Sequence, residues 1–77
     1  MMDEYKEIYA MLLKCRKKTY YLGYMTDDMP YHGYSGDKVK EANNILNETN
    51  KRLDELIGFC QCVMSLPPND SEWKDVE

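Results

Sequence analysis

Seventy-seven residues with a net charge of -4 allow one domain and a small core, since a chain of this size buries only about 60% of the surface it exposes when unfolded. The acidic balance argues against a nucleic-acid-binding surface, and no apolar run approaches the roughly 20 residues that a membrane span needs. Cys15, Cys60 and Cys62 are an odd set without framework spacing, and no signal peptide precedes Met1-Met2-Asp3-Glu4, so the expectation is a soluble protein of a reducing cytoplasm.

The first element expected is a helix over about residues 3–22. Tyr5, Ile8, Leu12, Cys15, Thr19 and Leu22 recur at steps of three and four, which sets them on one stripe. Asp3, Glu4 and Glu7 stand at its start and Lys14, Arg16, Lys17 and Lys18 near its end, in the sense that complements a helix dipole, and Gly23 offers a stop.

A connection over 23–35 follows, holding Tyr24, Tyr31 and Tyr34, Pro30 and the single histidine, His32. The second helix is expected over 36–66, about 45 Å long. Val39, Ala42, Leu46, Thr49, Leu53, Leu56, Cys60 and Val63 keep a heptad rhythm that reads as a coiled-coil seam. Ser35 is placed to cap it, Asp37 lies in its first turn, and Pro67 and Pro68 end it after Leu66. Two such stripes make an all-α fold, an antiparallel two-helix hairpin, with Cys15 facing the region of Leu46 and no disulfide to Cys60. Residues 67–77 form an acidic tail with a lone Trp73; it either folds back onto the hairpin or stays mobile until a partner arrives.

Chemistry-bearing residues are sparse. His32 has no metal-ligand spacing to a Cys, Asp or Glu, and Cys60-Gln61-Cys62 points its two sulfurs about 200° apart on a helix. Asp27, Asp28 and Asp37 lack the alternation and closing Glu of a calcium loop, and no Cys or Ser lies near a base. No enzyme, metal or cofactor is expected. The run "KCRKK", with Lys14, Arg16, Lys17 and Lys18, either contacts phosphates with Tyr20 and Tyr21 beside it or is a solvated helix end facing Glu41 and Glu48. Tyr20, Tyr21, Tyr24, Tyr31 and Tyr34 gather at one end of the hairpin. There they are candidate partner-binding residues, because tyrosine buries a large area at little entropic cost; the alternative is a satellite core that orders the connection.

The second helix also carries Ile45, Phe59 and Leu66 on one flank of its seam and Ile57 and Met64 on the other, a stripe wider than one helix covers. Two hairpins about a two-fold axis would close it into a four-helix bundle, with Ile45, Ile57, Phe59 and Met64 at the dimer contact.

Asp28-Met29-Pro30, then Gly33, then Asp37-Lys38-Val39 opening a helix with Glu41, Asn47, Leu53 and Ile57 resemble the N-terminal region of phage-encoded, sigma-factor-like late transcription activators. The likeness spans about residues 5 to 64. In that family two helices and such a connection precede a DNA-reading helix-turn-helix, whereas here "MSLPPNDSEWKDVE" follows Val63, so the resemblance implies the protein-contact half without the DNA-reading module. The function expected is a small non-enzymatic protein-interaction module of phage or prophage origin, acting in the host cytoplasm as a regulator or inhibitor on a host or phage protein. The alternative is a nucleic-acid-associated transcription regulator using residues 14–18.

Overall fold

The structure, a computed structural model, describes residues 2–76. Helix α1 (Met2–Asp27) and helix α2 (Gly36–Val63) pack antiparallel, and the tail returns along them to a short 3-10 turn, Glu72–Asp75. The described residues contain no strand, and no helix among them is long and apolar enough to cross a membrane. The molecule measures 47 × 21 × 19 Å.

Gly23 does not stop α1. The helix runs one further turn because Thr26 is buried against α2: its hydroxyl donates to the Gly23 carbonyl at 2.7 Å and lies 2.7 Å from the Asn43 side-chain amide. Tertiary bonding there outweighs the roughly 1 kcal/mol that a glycine costs inside a helix. The α-helical ladder ends where Pro30 has no N–H to give. A 3-10 turn over Met29–His32 takes over, and Gly33, at φ 88°, closes it in the left-handed region that favours glycine. The basic run therefore lies in mid-helix, and the last turn of α1 carries no cation.

Helix α2 begins as its sequence indicates. Ser35 is extended, and its Oγ accepts from the Lys38 N–H at 3.3 Å, with Asp37 in the first turn. It ends before Leu66. Ser65 turns to φ 56°, and Leu66 and Ser65 donate back to the Gln61 and Cys62 carbonyls at 2.8 and 3.1 Å, a Schellman closure ahead of the two prolines.

Because α1 and its 3-10 extension reach so far, the chain reverses near Gly33–Ser35 rather than midway through 23–35. That shifts the register by about two helical turns from the one expected. Tyr9 meets Gln61, Arg16 meets Asp54, Gly23 meets Leu46 and Thr26 meets Asn43. Leu46 thus faces Gly23, not Cys15, and Cys15, Cys60 and Cys62 are all free thiols.

The expected stripes are rotated as well. The buried residues of α1 are Tyr9, Leu13 and Thr26, whereas Ile8, Cys15 and Leu22 are exposed. On α2 the buried positions are Leu46, Ile57, Cys60 and Gln61, while Leu56 is 50% exposed and Val63 also faces out. The cause is the tail. Trp73, 5% exposed, packs with Tyr9, Leu13, Ile57 and Cys60 in one core bordered by Leu12, Met64 and Val76. Each helix therefore buries an arc shared between its neighbour and the tail, not the narrow seam of a two-stranded coil. Ile57 and Met64, expected at a dimer contact, belong instead to this intramolecular core. Ile45 and Phe59 remain exposed.

Candidate functional site

The tail is held by a chain of polar bonds that begins in the core. Gln61, 4% exposed, donates from Nε2 to the Tyr9 hydroxyl at 3.1 Å and to the Asn69 carbonyl at 3.0 Å, and its Oε1 accepts from the Asn69 N–H at 3.4 Å. The Tyr9 hydroxyl in turn donates to the Glu72 carboxylate. Burial, and then that carboxylate, raise the Tyr9 hydroxyl above the usual phenol range, with Gln61 pulling the other way. Trp73 Nε1 donates to the Asp70 carbonyl at 3.0 Å, so the indole is buried with its one polar atom satisfied. Of the two courses open to the tail, folding back is the one observed.

The basic run divides. Arg16 bonds Asp54 through Nε at 2.8 Å and lays its guanidinium 4.4 Å from the centre of the Trp73 ring, while Lys17 donates to the Val76 carbonyl. Both cations therefore serve the tail. Only Lys14 and Lys18 stay on the surface. The expected acidic facing pair is engaged elsewhere: Glu41 with Lys38 at 3.3 Å, and Glu48 with Arg52 at 3.1 Å, Arg52 also reaching Glu55 at 3.0 Å.

The five tyrosines also separate into two roles. Tyr20 is the hinge between tail and tip: its ring lies 5.1 Å from that of Trp73, and it makes edge contacts with Tyr21 at 5.7 Å and Tyr24 at 5.3 Å. The Tyr20 and Tyr24 hydroxyls sit 2.8 Å apart, and that hydrogen bond raises Tyr24 above the ordinary phenol value. Tyr21, Tyr24, Tyr31 and Tyr34 are all more than half exposed, Tyr31 at 87%. No satellite core forms over the connection, since no residue of the 3-10 turn is buried.

A second surface lies on the open side of the hairpin; the sequence marks Ile45 and Phe59 as an uncovered flank but places Cys15, Leu22 and Leu56 in the seam. Met11, Cys15, Leu22 and Met25 line a shallow apolar groove on α1 with Lys14 and Lys18 at its edge, and Leu22 and Thr19 continue it to Ala42, Ile45 and Thr49 across the α1–α2 cleft. Helical spacing adds Leu56, Phe59 and Val63 to the same side of α2, all exposed. The signal was present in the residues, as the part of each stripe that one neighbouring helix cannot cover. Among the described residues no group of three or more His, Cys, Asp or Glu side chains is arranged to hold a metal ion.

No known family matches the chain, and no curated protein or solved structure shows significant similarity to it.

Proposed function

We propose that the chain is a small non-enzymatic protein-interaction module whose partner docks on the tyrosine end of the hairpin. The observation that carries this reading is the exposure of Tyr21, Tyr24, Tyr31 and Tyr34 on an ordered tip whose own core lies elsewhere, beneath the tail. Aromatic rings held out on a rigid frame offer buried area to a partner at small entropic cost. The likeness of residues 5 to 64 to phage late activators supports a bacterial or phage protein as that partner and regulation or inhibition as the outcome. A nucleic-acid role has less behind it, since Arg16 and Lys17 are taken up by Asp54, Trp73 and Val76.

The test is affinity capture from a bacterial lysate with mass spectrometry, run at low and high salt, comparing the parent with Tyr21→Ala/Tyr24→Ala. The expected result is a protein retained by the parent at high salt and lost with the variant, whose helix content is unchanged. Equal capture by both, or capture only of nucleic acid released by salt, would reject the reading.

A further inference from the structure

We propose that the side of the hairpin left open by the tail is a self-association surface, taking a second copy of this chain about a two-fold axis that lies in the face and runs along the hairpin. This goes beyond the tyrosine-end reading and is independent of it.

The tail covers one side only. On the other, Met11, Cys15 and Leu22 of α1 and Ile45, Leu56 and Phe59 of α2 are exposed together. Two observations choose the occupant. The first is register. Opposed positions of α1 and α2, such as Tyr9 and Gln61 or Thr26 and Asn43, have residue numbers that add to 69 or 70. A two-fold axis along the hairpin keeps every residue at its own level while setting α1 over α2 of the second copy. Met11 then meets Phe59, Cys15 lies within about a residue of the level of Leu56, and Met25 meets Ile45 of the second copy; between these apolar pairs the same rule brings Lys18 to the level of Arg52, whose guanidinium is held by Glu48 and Glu55. All adjacent helices are antiparallel, as in an up-down four-helix bundle.

The second observation is charge. Lys14 and Lys18 border the apolar strip on the outer edge of α1. Glu41, Glu48 and Glu55 stand one turn from Ile45 or Phe59 on the outer edge of α2; Arg52 bonds Glu48 and Glu55 and leaves that edge net negative. The proposed axis brings Lys14 to the level of Glu55 of the second copy. An axis across the helices would instead stack α1 on α1 and set the two lysines against their own copies.

The area suffices. From Ile8 to Met25 the face runs roughly 26 Å at 1.5 Å per residue and about two helices wide. That makes roughly 1,000 Å² over both copies before side-chain relief is counted, the level at which specific interfaces begin.

Sedimentation equilibrium on the whole chain, from low micromolar to near-millimolar concentration, should show the 9.1 kDa chain passing to twice that mass. Phe59→Lys, at a position 60% exposed and so harmless to the fold, should stay monomeric with unchanged helix content. Lys14→Glu should weaken the dimer about threefold at low salt, and adding Glu55→Lys should restore it. A parent that remains monomeric throughout, a Phe59→Lys variant that dimerises like the parent, or a charge swap that restores nothing would overturn the proposal.

Discussion

Replacing Trp73 by alanine removes the one ring that ties the tail to both helices. The indole is 5% exposed, in contact with the Tyr9, Leu13, Ile57 and Cys60 cluster, under the Arg16 guanidinium and beside Tyr20. A buried tryptophan removes up to about 250 Å² from water, about 6 kcal/mol at 25 cal/mol per Å². A compact unfolded chain lowers that figure, and the freed tail regains conformational entropy while its site opens to water. The net loss should fall near 3 kcal/mol, the low end for Trp→Ala changes. In a domain of this size 1 kcal/mol moves Tm by about 4–8 °C, so Trp73→Ala should melt roughly 12–24 °C below the parent. Far-UV circular dichroism at low micromolar concentration reads it, with the exposed Lys51→Ala on α2 as the surface control. A shift no larger than the control's would refute the docking of the tail.

Ile57→Ala should cost about 2–4 kcal/mol, whereas Leu56→Ala in the dilute monomer should cost under about 1 kcal/mol; urea unfolding of the two variants measures whether the buried stripe is rotated as described. Gly23→Ala should raise stability by up to about 1 kcal/mol, because a Cβ there would meet Leu46 Cδ2 at an ordinary 3.6 Å; a lower Tm would contradict that contact. Tyr9 supplies a pH dependence: its value is raised by burial and by Glu72, so its stabilisation is whole below the unfolded phenol value of about 10 and is lost as pH rises through the folded value. Stability measured across the alkaline range should fall more steeply for the parent than for Tyr9→Phe, and equal slopes would count against the buried phenol.

Much of the fold was legible because it rests on short-range rules. Ser35 with the Lys38 N–H, Asp37 in the first turn, the two prolines after α2 and the three-four spacing of both segments are local, and the helical hairpin follows from them. What escaped depended on contacts distant in sequence. Gly23 is punctuation until Thr26 finds Asn43, and only then does α1 run on and the register shift. The orientation of the stripes could not be read while the course of the tail was open, since Trp73 decides which flank of each helix is covered. For the same reason the basic run looked uniform, although Arg16 and Lys17 are drawn to Trp73 and Val76 and leave Lys14 and Lys18 outside. At the tip, the tyrosine cluster was visible in the sequence, but the division between Tyr20, packed on Trp73, and its more exposed neighbours was not.

The three free thiols allow one measurement on the unaltered chain to address both sides of the hairpin. Cys60 lies in the sealed core, Cys62 is exposed, and Cys15 is exposed on the open apolar face. Thiol labelling followed by mass spectrometry at rising protein concentration should find Cys62 fast and Cys60 slow at every concentration, with Cys15 fast when dilute and progressively slower as a second copy covers it. Cys15 as protected as Cys60 in dilute solution would contradict the rotated stripes, and Cys15 labelled fast at every concentration would contradict the pairing of the open face.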